Sequence, residues 1–99
     1  MKCRDIIELL EQEFPMKYAE SWDNTGFQVG NREKEVTHIF VAMDVTDENI
    51  EEAIRVGADM IVTHHPMIFS PLSSITADTI NGRRIIKMIE SGICYMSTH

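Results

Sequence analysis

Three short apolar runs alternate with two amphipathic segments of helical length, and this alternation constrains the fold more than any other feature. The runs read VTHIFVA, DMIVT and ICYMS. Strands that are joined by helix-length crossovers run parallel to one another, with right-handed connections. We therefore predict an α/β fold with a mostly parallel sheet and crossover helices. Because the first run is almost continuously apolar, we expect its strand to be covered on both faces.

The helix boundaries carry their own signals. Thr46 or Asp47 can cap the helix that follows the first run, and Gly57 is placed to end it. A second helix is predicted over residues 79–91 and a further one over residues 5–14, before Pro15. Residues 26–29 read as a short strand. Methionines of the apolar segments are interpreted as packing residues, namely Met43, Met60, Met67, Met88 and Met96.

Size and charge narrow the function classes. Ninety-nine residues form one domain or less, and a formal charge of −7 disfavours non-specific binding to nucleic acid or to anionic lipid. The two cysteines have no paired spacing, and Cys94 is predicted to be a buried small hydrophobe. No apolar run approaches the roughly 20 residues of a membrane span. We expect a cytoplasmic protein that does not act on a membrane.

Polar side chains follow each of the three predicted parallel strands. The strands lead into Asp44, into His64-His65 and into His99. Because chemistry in an open parallel sheet gathers beyond the carboxyl ends of the strands, these side chains are predicted to share one cleft. Two adjacent histidines on a strand point opposite ways, which suits two ions better than one. Neutral imidazole favours Zn, Fe, Co or Ni over Mg.

Structural alternatives remain open for each of these residues. His64 and His65 could instead cap a loop through backbone hydrogen bonds. For Asp44 we favour a role in starting the helix at Thr46 over direct ligation of a metal. His38 lies within an apolar run and is predicted to be a core or edge histidine. The turn WDNTG, residues 22–26, could form the wall of a pocket or could be purely structural.

Four motifs, in this order and spacing, resemble the Nif-three-like dinuclear-metal family, whose bacterial members are often described as GTP cyclohydrolase I type 2 homologs. They are SWDNTGFQVG, VAMDVT, GADMIVTHHPMIF and the terminal STH. The resemblance spans all 99 residues and implies that the chain is the amino-terminal α/β lobe, residues 1–99, of a two-lobed fold. The combination of D-N-x-G-x-Q-V-G with H-H-P-x-x-F is specific, whereas neither half alone would be.

The resemblance also implies a site and an assembly. Two divalent metal ions (Zn, Fe, Co, Ni or Mn) would be held in the full-length protein, with His64 and His65 as ligands. His99 would line the site as a catalytic proton carrier. The family motif continues beyond His99 to an aspartate ligand and, much later, to an H-x-x-x-E pair, so the pattern is truncated after His99. Since a stable site needs about four ligands per ion, we expect weak or no metal binding by the isolated chain.

Two functions follow from this resemblance. The first is a dinuclear metal-dependent hydrolase of uncertain substrate, for which a small molecule such as a purine nucleotide is possible; the isolated chain would be inactive. The second is a ring-forming scaffold that captures a protein, nucleic-acid or metal partner without catalysis. Family members assemble as homohexamers, and we expect self-association of this chain through its open sheet edge.

Overall fold

The computed structural model describes residues 1–13 and 26–98, which fold into a mixed α/β structure with one four-stranded sheet. The elements in chain order are α1 (Cys3–Glu13), β1 (Gly26–Val29), β2 (Ile39–Ala42), α2 (Asp47–Arg55), β3 (Met60–Thr63), α3 (Ile80–Glu90) and β4 (Cys94–Ser97). The strand order is β1-β4-β3-β2. The β2–β3 and β3–β4 pairs are parallel, whereas β1 runs antiparallel to β4. The predicted mostly parallel α/β fold is confirmed.

The predicted caps begin and end the crossover helices. The Thr46 hydroxyl accepts a hydrogen bond from the Asn49 amide at 3.0 Å, and the Thr79 hydroxyl accepts one from Gly82 at 3.0 Å. Gly57 adopts a φ of 74° just beyond α2, a left-handed conformation that glycine tolerates without strain. These local contacts explain why the helix boundaries could be read from the sequence to within a residue or two.

Two apolar clusters lie on opposite faces of the sheet. The first fills the space between the sheet and the helices α2 and α3, and includes Ile50, Ile61, Ile85 and Tyr95. The second lies on the face that α1 covers, and includes Cys3, Ile6, Ile7, Val36, Met60, Val62, Cys94 and Met96. Both cysteines are buried as free thiols, as predicted for Cys94. No helix within residues 1–13 or 26–98 is long and apolar enough to cross a membrane.

The prediction that the first run is covered on both faces is wrong. β2 is the outer strand of the sheet among the described strands, and Ile39 is 45% exposed and Val41 75% exposed. Their register with Met60 and Val62 places them on the face that α1 covers, but α1 packs on the β1 side of that face. Met43 is 60% exposed and is not a packing residue, whereas the other four methionines that were predicted to pack are buried, namely Met60, Met67, Met88 and Met96.

Candidate metal centre

His64 and His65 lie directly after β3, at the carboxyl end of the parallel strands. The His64 amide donates to the Ala42 carbonyl at 3.3 Å and the His65 amide donates to the Met43 carbonyl at 3.0 Å. The two ring centroids are 4.8 Å apart, with the ring planes inclined at 60°. The pairing of β2 with β3 therefore continues into the two histidines and brings both imidazoles to one edge of the sheet.

Asp44 contacts His65 through its carboxylate. The Asp44 Oδ1 atom lies 2.8 Å from the His65 Nδ1 atom, and the Asp44 carbonyl accepts a hydrogen bond from the Asn49 side chain at 3.0 Å. The helix cap itself is the Thr46 hydroxyl, as predicted. The favoured role for Asp44, starting α2, is thus met only by its carbonyl, while its side chain faces the predicted site.

Two hydroxyl groups hold the backbone that carries His65. The Thr63 hydroxyl donates to the His65 carbonyl at 2.7 Å, and the Tyr95 hydroxyl lies 3.1 Å from the same oxygen. The Tyr95 hydroxyl is also 2.6 Å from the Thr63 hydroxyl and accepts from the Met67 amide at 3.1 Å. Burial raises the pKa of Tyr95, while the bonds from Thr63 and Met67 oppose that rise. Tyr95 is therefore neutral, and its buried hydroxyl holds the loop after β3 in place through hydrogen bonds.

Side-chain amides fasten the rest of this loop. Gln28 forms two hydrogen bonds with the backbone of Ile68, at 3.0 and 3.1 Å, and Asn81 donates to the Met67 carbonyl at 3.1 Å. The backbone groups of residues 65, 67 and 68 thus have partners other than imidazole nitrogens.

An open cleft of about 520 Å³ borders His65. Its walls come from the end of β2, from the loop after β3 and from the start of α3, namely Asp44, Val45, His65, Pro66, Met67, Phe69, Asn81 and Arg84. Arg84 donates to the Asp47 carboxylate at 2.9 Å and to the Val45 carbonyl at 3.2 Å. In the neighbouring strand Ser97 pairs with Thr63, and its hydroxyl is buried without a hydrogen-bond partner among the residues that the structure describes. The edge therefore combines polar groups with space for a small ligand.

The predicted site residues are brought together only in part. His64, His65 and Asp44 converge, but no group of three histidine, cysteine, aspartate or glutamate side chains in a metal-binding arrangement occurs within residues 1–13 and 26–98. His99 and the WDNT turn, residues 22–25, lie outside the described residues. His38 is exposed, as an edge residue, and its Nδ1 atom lies 3.0 Å from the Thr37 hydroxyl.

The donor atoms present fit a transition metal in kind. The two imidazoles supply nitrogen ligands that zinc and iron accept, and further ligands would have to complete the site. Both His65 and Asp44 are about half exposed, at 45% and 58% of their side-chain surface, so an ion could reach them. Sequence reasoning missed Tyr95 as a site residue, because only its place in a buried strand could be read from the pattern.

The fold and the site together define the class of this protein: an α/β protein that carries paired histidines at the carboxyl ends of its parallel strands. The family model of Duf34/NIF3 (NGG1p interacting factor 3) matches residues 1–99, and the chain belongs to that family. Curated relatives from Clostridium perfringens and Clostridium acetobutylicum, both named GTP cyclohydrolase 1 type 2 homolog, are 46% and 41% identical over 99 residues. The chain spans 38% and 37% of the lengths of these two relatives.

Solved structures show the same fold. A Bacillus cereus protein related to NIF3 superimposes with a TM-score of 0.91 at 39% identity, over the whole of this chain and 27% of that one. Reduced HcgD from Methanocaldococcus jannaschii superimposes with a TM-score of 0.89 at 33% identity, over the whole of this chain and 40% of that one. The fold and the family predicted from the four motifs are therefore confirmed.

Proposed function

We propose that the full-length protein binds two divalent transition-metal ions at the carboxyl edge of this sheet, with His64 and His65 as ligands, in the cytoplasm. The observation that carries the proposal is the convergence of the two imidazoles, 4.8 Å apart, with the Asp44 carboxylate against His65. The planes of the two rings are inclined at 60° to each other, so each histidine can serve a different ion. The remaining ligands would come from other parts of the full-length protein.

The reaction class that suits such a centre is hydrolysis. Two bound ions would polarise a substrate oxygen and supply a hydroxide nucleophile at neutral pH. The residues of this chain would do the remaining work: Asp44 orients His65, the Thr63 and Tyr95 hydroxyls hold the loop, and the adjacent cleft admits a small molecule. The family resemblance implies that His99, which lies outside the described residues, would act as a proton carrier. The names of the curated relatives point to a purine nucleotide as one substrate to test.

The proposed metal ligands predict which histidine substitutions lower the amount of bound metal. We expect that His64→Ala and His65→Ala in the full-length protein each lower the bound zinc or iron, and that the double variant retains only background metal. His38→Ala is the matched control, because this exposed histidine lies at the other end of β2 and contacts Thr37 instead. Metal content is measured by elemental analysis of purified, dialysed protein. Equal metal in the wild type and the double variant would exclude the assignment.

A ring-forming scaffold without catalysis is the second candidate. The exposed apolar side chains of β2 favour it, since Val41 is 75% exposed and such surfaces are common at protein contacts. Incubation of the metal-loaded full-length protein with GTP and simple phosphoesters separates the two functions. Turnover that the double histidine variant abolishes supports the enzyme, whereas a metal-loaded protein without turnover supports the scaffold.

A further inference from the structure

We propose that Asp44 is a positioning residue, which holds the His65 ring in the tautomer that leaves its Nε2 atom available to a metal. This inference rests on the metal-binding function proposed above. From the sequence alone, Asp44 was predicted to help start the helix at Thr46. The contact that carries it is the 2.8 Å approach of Asp44 Oδ1 to His65 Nδ1.

The sheet fixes this contact through its register. Ala42 pairs with Thr63 in the parallel β2–β3 ladder, and the His65 amide donates to the Met43 carbonyl at 3.0 Å. Asp44 and His65 are therefore held side by side, each two residues beyond the end of its strand. The backbone hydrogen bonds between the two segments therefore set the relative position of the two side chains.

The backbone at both ends of the contact is also anchored. The Asp44 carbonyl accepts from the Asn49 side chain at 3.0 Å, in the first turn of α2. The His65 carbonyl lies 2.7 Å from the Thr63 hydroxyl and 3.1 Å from that of Tyr95, which is fully buried. With the main chain held in this way, the Asp44 carboxylate acts on the rotation of the His65 ring through its contact with Nδ1.

The chemistry of the pair selects one tautomer. An ionised carboxylate can only accept hydrogen bonds, so Nδ1 must carry the proton and Nε2 keeps its lone pair. Histidine ligands of metal ions commonly donate their other ring N–H to a carboxylate in this manner, which fixes ring orientation and raises ligand basicity. The pair is about half exposed, so screening by solvent keeps its contribution to stability small. A role in orienting the ring therefore accounts for the contact better than a role in stability.

Two measurements test the proposal. The first is the tautomer of His65, read from long-range proton–nitrogen NMR spectra of the metal-free 99-residue chain. We expect the Nδ1–H form in the wild type and a mixture of tautomers in Asp44→Ala, with Asp44→Asn in between, because an amide can also donate. Asp78→Asn is the matched control, a carboxylate-to-amide change at an exposed site on the loop before α3. The same spectra report whether each variant is folded.

The second measurement is zinc affinity of the full-length protein, from competition with a chelating dye. We expect the dissociation constant to rise about 10–100-fold in Asp44→Ala and less in Asp44→Asn, with no change in Asp78→Asn. An Nε2–H tautomer in the wild type, or the same tautomer in wild type and Asp44→Ala, would overturn the positioning role. Unchanged zinc affinity in His65→Ala would instead overturn the proposed metal site, whatever the tautomer.

Discussion

At the scale of single residues, Asp59 fixes the entry into β2. Its Oδ2 atom accepts hydrogen bonds from the Thr37 amide at 2.9 Å, the Thr37 hydroxyl at 3.0 Å and the His38 amide at 3.2 Å. The Thr37 amide is the main cause that holds the pKa of Asp59 below its usual value, and burial opposes it. Asp59 thus ties the start of β2 to the turn before β3.

We expect Asp59→Ala to lower the free energy of unfolding by about 1 kcal/mol at pH 7, because two backbone donors lose a charged acceptor that is partly exposed. A carboxyl with a lowered pKa in the folded state contributes stability above its unfolded pKa of about 4, and this is lost as pH falls through the folded pKa. Urea unfolding should therefore show the difference between wild type and variant narrowing below about pH 4. A difference that stays constant down to pH 2 would contradict this account.

At the scale of elements, the start of α3 is packed tightly against the preceding loop. A methyl group added to Gly82 would overlap the Thr76 carbonyl oxygen and lie 2.9 Å from the Thr76 amide nitrogen. The Gly82 amide meanwhile donates to the Thr79 cap. Glycine is therefore required here by the close approach of two backbone segments, in a helix that would otherwise favour alanine.

We expect Gly82→Ala to lower the free energy of unfolding by about 1–3 kcal/mol, because backbone atoms must move to relieve the contact. In a helix without this contact, the same change would raise stability by roughly 1 kcal/mol. Thermal or urea unfolding therefore tests the packing by the sign of the effect alone. If the Gly82→Ala variant were more stable than the wild type, the loop at residues 76–79 would not pack closely against Gly82.

At the scale of the whole molecule, β2 is the outer strand of the sheet, and no strand within residues 1–13 or 26–98 pairs with its outer side. Ile39 and Val41 are exposed on the face that α1 covers elsewhere, and Met43 continues the same surface beyond the strand. Exposed apolar edge strands promote pairing with other chains. This surface, rather than the helices, is where we expect the 99-residue chain to associate with itself.

We expect the apparent mass of the wild-type chain to rise with concentration in light scattering, and Val41→Lys to reduce that rise, because a charge on an edge strand opposes pairing. Ile89→Lys is the matched control, since Ile89 is also exposed, at 58%, but lies on α3. A wild-type chain that stays monomeric at all concentrations would contradict the prediction of self-association. Equal effects of the two lysine substitutions would contradict the prediction that the chain associates through β2.

The sequence by itself determined the elements, their order and the edge at which polar residues gather. Apolar periodicity and short-range caps such as Thr46 and Thr79 act within one turn of a helix, so they can be read along the chain. The four motifs added the family. The adjacency of His64 and His65 at the end of a strand was likewise visible without coordinates.

Only the tertiary structure decided which residues meet across the sheet. It placed the apolar β2 at the outer edge of the described strands and brought the Asp44 carboxylate to His65. It also brought the Tyr95 hydroxyl within 3.1 Å of the His65 carbonyl, 30 residues away in sequence. The physical reason is that strand periodicity predicts which side chains share a face of the sheet. It does not predict which helix covers that face, or which neighbouring residue forms a hydrogen bond with a polar side chain. Those outcomes depend on strand order and register, which arise from packing of the whole chain.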